Sequence, residues 1–134
     1  MNQVITKKER AVSPELLDEI AGAFNRHDID AILAYFAEDC VFLLSRGPEA
    51  SGRQLKGKKE IGSFLRERFA SLGDMKWRTL EHWTAGDRGV SEWVMTCTLP
   101  SGERMELLGC DLYRFRDGKI VKKDTYWKSR DAAL

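Results

Sequence analysis

Between Met75 and Lys128 the chain reads as four long β-type segments with only short turns between them. They run from Met75 to Ala85, Val90 to Leu99, Arg104 to Phe115 and Ile120 to Lys128. Gly86-Asp87, Pro100-Ser101-Gly102 and Arg116-Asp117-Gly118 place turn-forming residues at the joints. Parallel neighbours need a crossover of a dozen or more residues, so connections this short dictate an antiparallel meander. Such a sheet has to bury one face, and the residues that precede it are the cover this sequence offers.

Those residues are helical in pattern. Ser13-Pro14-Glu15 combines a hydroxyl cap, proline at the first helical position and an acid near the positive end of the helix dipole. Leu16, Leu17, Ile20, Ala21 and Phe24 then recur at helical spacing, and the helix is expected to stop at Asn25–His27. Asp28 can cap a second short helix with Ile29, Ile32, Leu33 and Phe36 on its apolar side. Cys40–Leu44 predicts a strand, residues 45–56 a loop, and Gly57–Leu72 a third helix burying Ile61, Phe64, Leu65 and Phe69. Helices first and a meander afterwards is the α+β order, with three N-terminal helices packed on a curved antiparallel sheet. The domain is expected to span residues 13–129, between a polar tail at 1–12 and a short tail at 130–134.

Composition narrows the partners. Hydrophobic residues are 43% and charged residues 32%, an ordinary globular balance, and the net charge of +1 supplies no field towards nucleic acid or an anionic membrane. No apolar run reaches spanning length, and residues 1–12 carry no secretory pattern. Cys40, Cys97 and Cys110 are an odd set without a Cys-x-x-Cys spacing, and the two histidines, His27 and His82, sit in no ligand motif. A reduced, cytoplasmic protein without metal or cofactor is the expectation, with His27 a surface or capping residue.

The third β segment carries the most informative break in pattern. Its better core face holds Met105, Leu107, Gly109, Tyr113 and Phe115, and Asp111 interrupts it. A carboxylate there has to find partners, take a proton or border a wet cavity. A three-residue loop at Arg116-Asp117-Gly118 would set Lys123 opposite Asp111 and bring Thr125 and Trp127 to the same face. On the other side, a two-residue Ser101-Gly102 turn puts Glu92 opposite Asp111. A three-residue Pro100–Gly102 loop puts Ser91 there instead, with Trp93 and Met95 inward, and hydrophobicity favours it.

The run Phe24-Asn25-Arg26-His27-Asp28-Ile29-Asp30-Ala31-Ile32, then Phe36-Ala37-Glu38-Asp39-Cys40-Val41, Gly57-Lys58-Lys59-Glu60-Ile61 and Gly109-Cys110-Asp111-Leu112-Tyr113-Arg114-Phe115-Arg116-Asp117-Gly118-Lys119-Ile120, closing on Tyr126-Trp127, resembles the SnoaL-like branch of the nuclear transport factor 2-like superfamily. The resemblance extends from about Ser13 to Lys128. It implies a cone-shaped fold enclosing a deep apolar pocket, and homodimers through the outer sheet face. Members of this superfamily include ketosteroid isomerases, polyketide cyclases, epoxide hydrolases, dehydratases and binding proteins without chemistry. Asp111 falls where ketosteroid isomerases keep a protonated aspartic acid. Their general base would fall at Leu44 and their tyrosine near Ile20, so that mechanism is not expected. The inward arginine and two aspartates of the epoxide hydrolases would fall at Glu92, Val94 and Thr125, so that constellation is missing too.

The ungapped match favours the two-residue turn, with Glu92, Val94 and Thr96 inward and Trp93, Met95 and Cys97 on a dimer surface. On that basis Glu92–Asp111–Lys123 forms a cross-strand row in which two carboxylates share a proton, or else a structural ion network. Asp111, Glu92 and His82 are the candidate catalytic residues. Phe24, Phe64, Phe69, Tyr113, Lys123, Thr125 and Trp127 are the candidate ligand-binding residues. The expected activity is a cofactor-independent acid–base isomerase, cyclase or dehydratase on a small apolar or hydroxylated metabolite. The alternative is a noncatalytic ligand-binding or dimeric interaction module.

Overall fold

Ser13 accepts a hydrogen bond from the Leu16 amide at 3.2 Å and starts α1, Pro14–Asn25, as its sequence requires. Asp28 caps α2, Ile29–Ala34, in the same way through the Ala31 amide. The computed structural model describes residues 10–130, so most of the expected N-terminal tail and all but the first residue of the C-terminal tail lie outside the described residues. The strands are β1 (Phe36–Leu43), β2 (Gln54–Lys56), β3 (Lys76–Ala85), β4 (Arg88–Thr98), β5 (Arg104–Arg116) and β6 (Lys119–Trp127), with α3 (Gly57–Ser71) between β2 and β3. β1 begins four residues before the expected strand, and β2 lies inside the expected loop.

The six strands form one sheet in the order β2-β1-β6-β5-β4-β3. All neighbours are antiparallel except β1 and β6. α1 packs on β3 and β4, and α3 on β1 and β2. Leu16, Leu17, Ile20, Ile61, Met95 and Cys97 are buried between the helices and the sheet. Among the described residues no helix is long and apolar enough to cross a membrane.

Three local features decide which side chains face the helices. Between β4 and β5, the Leu99 amide bonds to the Glu103 carbonyl at 2.8 Å, leaving a three-residue loop that sets Ser91 opposite Asp111. The expectation that Glu92, Val94 and Thr96 point inward is therefore corrected. Trp93, Met95 and Cys97 take that face, and Glu92 pairs with Cys110 on the other. The strand thereby buries its larger apolar set, a stronger constraint than an ungapped match.

Between β5 and β6, Asp117 and Gly118 both have positive φ (54° and 74°), which makes a two-residue turn instead of the expected three-residue loop. Val121 is then an extra residue in β6, and the strand realigns with Thr125 opposite Asp111 and Lys123 opposite Tyr113. The third feature is a bulge in β3 at Leu80. Trp77 and Thr79 pair with Met95 and Trp93 before it, and His82 pairs with Ser91 after it. The extra residue turns His82 towards the helices and leaves Trp83 outside.

Candidate active site

Trp93 crosses β5 where that strand has no side chain. A Cβ on Gly109 would come 2.5 Å from Trp93 Cη2 and 2.6 Å from the Tyr126 carbonyl oxygen, so glycine is required for the indole to lie there. From that position Trp93 Nε1 donates to Asp111 Oδ2 at 3.0 Å. Lys123 Nζ donates to Asp111 Oδ1 at 2.9 Å and to Thr125 Oγ1 at 2.9 Å. Thr125 Oγ1 in turn donates to Asp111 Oδ1 at 2.6 Å. Three donors from β4 and β6 therefore converge on one carboxylate of β5, which acts purely as an acceptor.

The pair is deeply buried: Asp111 is 7% exposed and Lys123 5%. Burial holds the Lys123 pKa below its ordinary value, and the charge and hydrogen bond of Asp111 offset only part of that. The ammonium also lies 4.0 Å from the Phe42 ring centroid and 5.1 Å from that of Phe24, within reach of their negative faces. Tyr113 is held well above the usual phenol range, first by burial and then by the neighbouring Asp111 charge.

Two chambers share Lys123 of this pair as a wall. The outer one, open at its mouth, has a cavity volume of about 80 Å³, with Phe42, Phe64, Phe69, Trp127 and Thr125 among its walls. The inner one, about 30 Å³, is bordered by His82, Ser91, Asp111 and Tyr113. Phe24, Trp77, Trp93 and Lys123 line both. Apolar walls with a few convergent polar groups are the usual make-up of a small-molecule site. In the inner chamber His82 Nδ1 and the Ser91 hydroxyl share a hydrogen bond at 2.9 Å. His82 Nε2 is buried without a hydrogen-bond partner, 3.6 Å from Asp18 Oδ1 at the surface.

The SnoaL-like domain profile matches residues 17–123, which include both chambers' strands up to Lys123. The chain belongs to the SnoaL-like domain family. No functionally curated protein matches it in sequence. Among solved structures, it is similar to an NTF2-like protein of unknown function from Burkholderia pseudomallei, at 23% identity and a TM-score of 0.76, covering 85% of this chain and 88% of that one. TerC co-crystallised with polyporic acid is 24% identical with a TM-score of 0.74, over 85% and 89% of the two chains. A candidate polyketide cyclase from Xanthomonas campestris pv. campestris is 28% identical with a TM-score of 0.69, over 85% and 88%.

In this SnoaL-like domain the expected cross-strand row is not assembled. Glu92 lies on the outer face beside Leu80, Trp83 and Tyr126, so among the described residues no second carboxylate stands next to Asp111. Lys123 reaches Asp111 from one pair further along, and Thr125 occupies the position directly opposite. Phe24, Phe64, Phe69, Tyr113, Thr125 and Trp127 all border one chamber or both. Trp93 and Ser91 were not among the expected site residues. The signal for both was the alternation Ser91, Trp93, Met95, Cys97, which is the more apolar side of β4. His27 stacks on Phe69 at 3.9 Å and donates to the Met75 carbonyl from Nε2 at 2.6 Å, tying the end of α1 to the start of β3. Among the described residues no group of three His, Cys, Asp or Glu side chains is placed to hold a metal.

Proposed function

We propose that this SnoaL-like domain takes a small apolar or hydroxylated metabolite between its aromatic walls and rearranges it by cofactor-independent acid–base chemistry, as an isomerase, cyclase or dehydratase does. The observation that carries the reading is the buried Lys123–Asp111 ion pair, whose lysine lines both chambers. A buried pair of this kind is often no more stable than well-packed apolar residues of the same volume, so the fold alone gives little reason to keep it. Lys123 is suited to donate to a substrate oxygen as negative charge develops on it, with Asp111 and Thr125 fixing its direction. His82, paired with Ser91 on the inner side, is suited to exchange the second proton. The polyporic acid in TerC and the likeness to the candidate polyketide cyclase from Xanthomonas support a small-molecule ligand.

One observation favours a second reading, a binding protein without turnover: both oxygens of Asp111 already accept from the protein. Incubating the purified protein with fractionated metabolites, and following both bound mass and product mass, separates the two. Turnover that disappears in Lys123→Met while ligand binding persists supports the enzyme. A ligand recovered unchanged from wild type supports the binding module.

Leu80, Trp83, Leu108 and Tyr126 are each about half exposed and cluster on the outer sheet face, and we infer that a second copy covers them. A reduced, cytoplasmic setting fits the free thiols of Cys40, Cys97 and Cys110.

A further inference from the structure

The mouth of the outer chamber holds charge that no described residue balances. Arg46 and Arg68 line it, and no aspartate or glutamate does. Among the described residues neither arginine has a carboxylate within ion-pair distance, whereas Lys123 deeper in the same chamber is matched by Asp111. The Arg68 guanidinium is pre-positioned, and Arg46 is held at its backbone. Arg68 lies 4.7 Å over the Phe64 ring. The Arg46 backbone is pinned to the loop below it, its carbonyl accepting from the Arg53 amide at 2.9 Å, while the Leu44 amide donates to the Arg53 carbonyl at 2.9 Å. Burial lowers the Arg68 pKa, and the like charge of Arg46 adds to that effect.

Beside them is an independent sign of a missing partner. The Ser45 hydroxyl lines the same chamber and is buried with no hydrogen-bond partner among the described residues. An unmade hydrogen bond at a buried hydroxyl is costly, and a ligand acceptor at this position would complete it. Two forked cations and one free hydroxyl donor at the rim of an aromatic cavity make a receptor for a planar oxyanion.

We propose that Ser45, Arg46 and Arg68 bind the anionic group of the ligand, a carboxylate or an ionised enol, while its flat apolar body extends inwards between Phe42, Phe64 and Trp127. This rests on the small-molecule reading of the cavity and adds the charge class: acidic lipophiles are bound, and their uncharged counterparts bind weakly. The body of such a ligand points towards Lys123, so its reacting end lies opposite its charged end.

The test uses two fluorescent probes of one skeleton, 8-anilinonaphthalene-1-sulfonate and its uncharged parent N-phenyl-1-naphthylamine, titrated into the purified protein. The sulfonate should bind about tenfold tighter than the parent, the size expected of charge-assisted hydrogen bonds. Arg46→Gln/Arg68→Gln should erase that advantage and leave the parent's affinity unchanged. Arg78→Gln/Lys128→Gln, on the outer-face groove, should leave both probes unaffected. Arg46→Gln alone alters an exposed residue and should give a partial loss, which keeps the test open if the double variant folds poorly. Equal binding of the two probes, or an advantage that survives the double substitution, overturns the receptor while leaving the cavity reading intact. Failure of both probes to bind wild type removes both.

Discussion

The two faces of the β3–β6 sheet reverse the usual distribution of polar and apolar groups. On the helix-covered face, Ser91, Asp111, Lys123 and Thr125 are all buried, and the last three bond to one another. On the outer face, Leu80, Trp83, Leu108 and Tyr126 stand about half exposed. The pleat forces this contrast, since neighbouring residues on a strand always go to opposite sides. Packing can account for the buried aromatic residues, but not for a charge pair set among them. The inner face is therefore where the domain departs from what folding needs, and the outer face is where it departs from what solubility needs.

The sharpest way to break this comparison is to remove one member of the inner pair. Asp111→Ala leaves the Lys123 ammonium buried without its counter-charge, and urea unfolding should show a loss of about 3–5 kcal/mol. Asp111→Leu/Lys123→Met, which makes the face apolar, should recover that loss and abolish any turnover. A double variant as unstable as the single one would make the pair a structural device. Next in size is Gly109→Ala. The added methyl meets both the Trp93 ring and a backbone carbonyl that cannot rotate away, so about 1–3 kcal/mol should be lost, with a changed near-ultraviolet circular dichroism from Trp93.

A smaller effect should appear at alkaline pH. The folded chain holds the Tyr113 phenolic proton well above the usual range while the unfolded chain releases it near 10. Its contribution is complete below that pH and is lost as pH rises towards the folded-state value, because the folded form then binds more protons. Tyr113→Phe should therefore flatten the fall in stability above pH 10, measured as urea midpoints across that range. The smallest change in stability belongs to the outer face. Leu108→Glu or Tyr126→Glu should alter the unfolding of the monomer by less than about 0.5 kcal/mol, and the proposed second copy on this face predicts a shift in sedimentation from dimer to monomer.

The fold was legible because its signals are local. The Ser13 and Asp28 caps, the helical stripes and the glycine-bearing turns each act within a few residues. Asp111 was legible as well, as a charge in an apolar alternation. The rest of the site depended on parity. Whether Glu92 or Trp93 faces Asp111 turns on one residue in the Pro100–Gly102 loop, and here the apolar alternation of β4 was the better guide than the ungapped match. Bulges at Leu80 and Val121 cannot be read from either strand alone, because each exists only relative to its partner. Ser45, Arg46 and Arg68 come from a loop and a helix end, and only the closed fold brings them to one rim.

The bulge at Leu80 also bears on how such a domain could diverge. It is a single surplus residue in an edge strand, half exposed and outside the core. Deleting it would leave the pairs of Glu81, His82 and Trp83 as they are. Taking it into a regular ladder and passing the surplus on to the Gly86-Asp87 turn would instead carry His82 out to solvent and Trp83 into the inner chamber. A register shift of one, with no substitution at any lining position, would exchange an imidazole for an indole at the cavity wall. In this architecture the position of a bulge in the edge strand is a route to new pocket chemistry that leaves the scaffold untouched.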